Sequence, residues 1–144
     1  MHSQLRMKKI LVAVDGSKPS VDAARLALEI ANGLGASLSA VYAVAPMVLP
    51  GEVPFTVVSE VMKAEVVRGK QLLEEVRVEL GYPSLALLEV EGSPAERIAQ
   101  LVEEGGFDLV VVGSRGRNAV ARLFLGSVAD RLVHICKKPV LVVR

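Results

Sequence analysis

Aromatic residues are scarce. Two tyrosines, three phenylalanines and no tryptophan make up 3% of the 144 residues. Any core must therefore come from Val, Leu, Ile and Ala, and a chain that is 51% hydrophobic supplies enough of them. A basic face or arm is also missing. The 17 lysines and arginines and the 16 acids are interspersed and leave a net charge of +1, which argues against nucleic acid as a partner. No apolar run is long enough for a membrane span, so no membrane partner is expected. Met1–Lys9 lacks an apolar signal core, which argues against secretion. The single cysteine, Cys136, excludes an internal disulfide and fits a reducing cytoplasm. His2 and His134 belong to no metal spacing such as His-Glu-x2-His.

What is present is an alternation of short apolar runs and amphipathic stretches in a length that suits one domain, 1–144, with 1–7 as a tail. Lys9–Val14 reads as a buried strand and Asp15-Gly16-Ser17 as a turn. A helix then starts at Ser17 or Lys18, tolerates Pro19 in its first turn and stops at Gly35. Ser37–Ala43 is a second strand. Val44–Phe55 holds Pro46, Pro50 and Pro54 and reads as a long apolar loop, folded over the core or used as a lid or contact. Thr56–Leu80 reads as a helix with Val57, Val61, Ala64, Val67, Leu72, Val76 and Leu80 as its apolar stripe. Leu85–Val90 is the third strand. Ser93-Pro94-Ala95-Glu96 has the form of a capping box, predicting a helix to about Glu104. Phe107–Val112 and Pro139–Val143 are the fourth and fifth strands, with an amphipathic stretch, Val128–Lys137, between them. This order predicts an α/β fold, a doubly wound parallel sheet with helices on both faces. Ligands of such sheets bind at the carboxyl ends of strands, where strand order reverses. Asp15 and Gly113 stand at two such ends.

The chemistry concentrates in Gly113-Ser114-Arg115-Gly116, nine further residues, and Gly126-Ser127. Glycines after a strand let backbone N–H groups face a ligand, and a helix start adds free donors and a positive dipole end. A phosphate is the ligand such a stretch suits. There is no Gly-x4-Gly-Lys-Ser/Thr, so this is not a P-loop, and no Gly-x-Gly-x2-Gly follows a strand. Ser127 offers a hydroxyl and a helix-start N–H, or acts as a plain N-cap. Arg115 and Arg117 could neutralise phosphate charge or simply be solvated, and Arg122 and Ser114 carry less weight. Asp15 could accept from a ribose hydroxyl or orient a metal-bound water. Alternatively, it caps the helix that follows.

Gly113-x2-Gly116-x9-Gly126-Ser127 resembles the nucleotide signature of the universal stress protein family. Ile10–Ser17, Val90-Glu91-Gly92-Ser93-Pro94 and Lys138–Val143 resemble that family's opening, middle and close, so the likeness runs from about Met7 to Arg144. It implies a Rossmann-like five-strand sheet in the order 3-2-1-4-5 and a homodimer through Pro139–Val143. It also implies ATP as the ligand, and Mg²⁺ on the phosphates is then chemically expected, with Asp15 able to reach the metal through water. By that match Gly113, Gly116, Gly126 and Ser127 contact phosphate and ribose, and the expected site also takes in Ser114, Arg115, Arg117 and Val128 beside them. By the same match Asp15 lies against the nucleotide and the Ala43 backbone contacts adenine, and Ala13 and Val14, just before Asp15, are included in the expected site. The expected function is that of a cytoplasmic ATP-binding stress-response switch or sensor with an unidentified protein partner. The alternatives are a slow Mg-dependent ATPase or nucleotide hydrolase, with Asp15 as the visible candidate base, and a ligand-free dimeric scaffold.

Overall fold

The computed structural model describes residues 6–46, 50–115 and 125–144. Among the described residues five strands alternate with four helices: β1 (Lys9–Ala13), α1 (Lys18–Leu34), β2 (Ser37–Val44), α2 (Phe55–Leu80), β3 (Ala86–Glu91), α3 (Pro94–Glu104), β4 (Leu109–Gly113), α4 (Ser127–Ile135) and β5 (Val140–Val143). All pairings are parallel and the order is β3-β2-β1-β4-β5, as expected. Sequence-predicted boundaries hold to within one or two residues. Residues 1–5, 47–49 and 116–124 lie outside the described residues. They include most of the expected tail, the middle of the apolar loop, and Gly116, Arg117 and Arg122. Met7, placed in the tail by the sequence reading, packs against the core.

Strand alternation splits the core in two. Ile10, Val12 and Val14 point to the face covered by α1 and α2, and Leu11 and Ala13 point to the face covered by α3 and α4. Both layers consist largely of Val, Leu, Ile and Ala, as the aromatic shortage requires. Among the described residues Tyr42, buried between β2 and α2, and Phe107, buried in the other layer, are the aromatic exceptions.

Two local expectations change. The inward row of α2 is Met62, Val66, Gly69, Leu73, Val76 and Leu80, spaced four, three, four, three and four. Val57 and Val67, placed in the stripe by sequence, are exposed instead. Leu72, Val76 and Leu80 pack on the core as expected, and Gly69 interrupts the apolar appearance of the row that continues before them. The capping box does not form either. α3 starts at Pro94 as expected, yet the Ser93 side chain makes no capping bond. The Glu96 carboxylate instead accepts from Arg131 Nε of α4 at 2.8 Å. That bond, with help from its own backbone N–H, holds the Glu96 pKa below the usual range. A charge-assisted bond to another helix outcompetes a local one to a neutral N–H.

At the amino end of the sheet, Asp108 Oδ2 accepts the backbone N–H groups of Lys8 at 2.8 Å and Lys9 at 3.0 Å. These two bonds, the larger from Lys8, lower its pKa, and Lys138 adds to the effect. A carboxylate depressed in the folded state stabilises above its unfolded pKa, and the contribution fades as pH falls through the folded value. Asp108→Ala should therefore lose roughly 1 kcal/mol near neutral pH, the site being open to solvent. Urea unfolding of both proteins should converge at about pH 2. A gap that persists in acid would assign the loss to packing.

Candidate functional site

The strand order reverses between β1 and β4, and a crevice of about 260 Å³ opens over their carboxyl ends. Its first wall is the turn after β1. Asp15 Oδ1 accepts the Ser17 N–H at 2.9 Å, and the Asp15 N–H donates to Ser20 Oγ at 3.2 Å. Ser20 is buried, and its hydroxyl donates to the Ser17 carbonyl at 2.9 Å. Ser17 caps α1 through its side chain, which accepts the Ser20 N–H at 3.3 Å. Gly16 turns the chain at φ 88, where other residues are strained, and Leu72 of α2 packs against it. The turn is thus tied to α1 by hydrogen bonds and to α2 by packing.

The second wall follows β4. Gly113 passes so close to α1 that a Cβ there would stand 3.0 Å from the Pro19 carbonyl carbon. The Ser114 N–H donates to the Val143 carbonyl at 2.7 Å, and the Ser114 carbonyl accepts the Gly126 N–H at 2.6 Å. These bonds join β4, β5 and the start of α4. Gly126 is the N-cap residue of α4 and Ser127 its first helical residue, so Ser127 is not the cap. A glycine cap has no side chain to cover the first N–H groups. Ser127, Val128 and Ala129 all line the crevice, so the positive end of the α4 dipole opens into it.

The crevice is therefore two-ended. Over β2 its lining is apolar: Val41, Ala43, Ala45, Pro94 and Ile98. Over β1 and β4 it carries Asp15, Ser20, Arg115, Ser127 and the uncapped α4 terminus. Such a shape suits a ligand with a flat apolar part and an anionic tail. Of the sequence-predicted residues, Ala13, Val14, Asp15, Ala43, Gly113, Arg115, Ser127 and Val128 meet here. Ser114 and Gly126 serve the backbone ties beside it. Gly116 and Arg117 fall outside the described residues. Sequence reasoning missed Ser20, Val41, Ala45, Pro94, Ile98, Val112 and Ala129. Proximity to the strand ends was the available signal for Ala45 and Pro94. Ser20 gives its role only through the turn it bonds. Among the described residues no cluster of three or more His, Cys, Asp or Glu could hold a metal, and no helix is long and apolar enough to cross a membrane.

A family model for the universal stress protein family matches residues 7–144. Universal stress protein MJ0531 of Methanocaldococcus jannaschii is 37% identical over 144 residues, covering 95% of this chain and 82% of its own length. The structure of universal stress protein UspA from Lactobacillus plantarum superposes with a TM-score of 0.86 at 28% identity, covering 96% of this chain and 99% of that one. A universal stress protein solved in complex with cAMP superposes with a TM-score of 0.74 at 26% identity, covering 96% and 98%.

Proposed function

This chain belongs to the universal stress protein family, and from that premise we propose that it binds ATP in the crevice between β1 and β4 as a nucleotide-dependent switch or sensor. The observation that carries the reading is the two-ended crevice. Adenine lies over β2 among Val41, Ala43, Pro94 and Ile98, and the phosphates meet the uncapped α4 terminus, Ser127 and Arg115. A relative of the same fold solved with cAMP supports an adenine nucleotide as the class of ligand. Mg²⁺ travels on the phosphates, which supply most of its ligands, and Asp15 reaches it through water. Asp15 already accepts the Ser17 N–H, a structural commitment that favours binding over turnover. The protein works in the cytoplasm as one nucleotide-binding domain, 1–144. It pairs with a second copy through β5, an apolar edge strand that needs covering. As a switch it must hold two conformations that ATP binds unequally.

The test fills the apolar end without touching the backbone ties. Ala43→Phe places a ring where adenine would lie, and should weaken ATP binding about tenfold or more in calorimetry while the circular dichroism spectrum is retained. Wild-type protein that binds no ATP, and releases no nucleotide when denatured after purification, would overturn the reading.

A further inference from the structure

The sheet has two edges, β3 and β5, and they are built differently. β5 is Val140-Leu141-Val142-Val143, without charge. β3 carries Glu89 and Glu91. Alternation fixes where Glu89 lies. Leu88 and Val90 pack into the core under α3 and α4, whereas Leu87 packs under α1 and α2. Glu89 shares the face of Leu87, in register with Tyr42. Its Oε1 is shielded from solvent and has no hydrogen-bond partner. Burial pushes its pKa up; Lys70 opposes the shift and Glu91 adds to it. Beside it lies a hollow of about 230 Å³ lined by Leu73, Leu87, Lys70 and Glu74. A leucine would fit that place with less desolvation than a carboxylate. Burial of the carboxylate outweighs the attraction of Lys70, so the charge costs the fold more than it returns and its use lies in what it prevents.

We propose that Glu89 closes the β3 edge against strand pairing with a second copy of this chain. Each antiparallel register shows how. Centred on Glu89, the two Glu89 carboxylates stand directly opposite one another. Centred on Val90, each Glu89 faces the Glu91 of the other copy. Centred on Leu88, each Glu89 is pressed against a Leu87, deeper in hydrocarbon. Like charges directly opposite repel, and a carboxylate with an unsatisfied oxygen resists further burial. Inward-pointing charge is a recognised guard for an edge strand. β5 carries none, so self-pairing is confined to one end of the sheet. Without Glu89 both ends could pair, and two self-complementary interfaces on opposite ends of one sheet do not close.

The experiment is light scattering of the full chain from micromolar to millimolar concentration, with unfolding followed at the dilute end. Glu89→Leu should at least double the weight-average mass over wild type as concentration rises, with stability in dilution no lower than wild type. Glu89→Gln should do the same more weakly. Glu89→Asp keeps a negative charge at the site and should keep the wild-type mass. Wild-type mass for both the Leu and Gln variants would overturn the proposal. So would an Asp variant that assembles like Leu, or assembly accompanied by lost stability. Should Glu89→Leu fail to fold, Glu89→Gln decides.

Discussion

Gly113→Val is expected to destabilise the fold by about 3 kcal/mol, and Gly113→Ala by about 1 kcal/mol. The reason is the neighbour, not the ligand. A Cβ on Gly113 would stand 3.0 Å from the carbonyl carbon of Pro19 and 3.1 Å from its oxygen. These are main-chain atoms in the first turn of α1, so no side-chain rotation relieves the contact. Gly113 cannot retreat either, because it is in register with Val143 and the next residue donates to the Val143 carbonyl. The strain moves the start of α1, and with it Ser17 and Ser20, which hold Asp15. Urea unfolding reads the effect directly, and unchanged midpoints for both variants would refute the close approach. One consequence reaches the function. A Gly113 variant that no longer binds nucleotide does not distinguish a blocked phosphate loop from a displaced α1. Ala43→Phe does, since Ala43 stands on the apolar wall away from that contact.

The layout of the sheet was legible because each strand is a continuous apolar run bounded by turn residues, and a parallel order follows from the alternation with helices. The crevice was legible for a related reason. Asp15 and Gly113 end strands that the topology makes neighbours. Ser93 and Glu96 misled because a capping pattern records an opportunity, and Arg131, 35 residues away, offered Glu96 a stronger partner. Pro94 and Ile98 escaped notice because they reach the crevice only after α3 has packed across β2. Gly113 carried two meanings in one letter. The sequence reading assigned it to phosphate contact, and the fold also requires it for helix–strand approach. Glu89 was not singled out at all. Within β3 it is one acid in an apolar run, and only the strand order makes it an edge residue facing inward.

Gly69 yields the other large expected effect, and its sign runs against helix propensity. Alanine in a helix interior is worth about 1 kcal/mol over glycine. At Gly69, however, a Cβ would lie 2.4 Å from Tyr42 Cδ1 and 2.8 Å from Cε1. Those are ring atoms of a buried side chain whose hydroxyl donates to Glu65 Oε2 at 2.9 Å, one helical turn before Gly69. The ring is held by β2 at its base and by α2 at its tip, so it cannot swing clear. Overpacking of this kind costs about 1–3 kcal/mol and sometimes more. Gly69→Ala should lose about 2 kcal/mol net and Gly69→Val more. Shrinking the ring tests the cause. Gly69→Ala should cost much less in a Tyr42→Leu background, a coupling that a double-mutant cycle measures. Gly33 supplies the control within the same protein. It lies in α1 with nothing within 4 Å of where its Cβ would be. Gly33→Ala should therefore stabilise by up to about 1 kcal/mol. The same substitution then has opposite signs in α1 and α2, and equal signs would mean that helix propensity, not the Tyr42 contact, governs both sites.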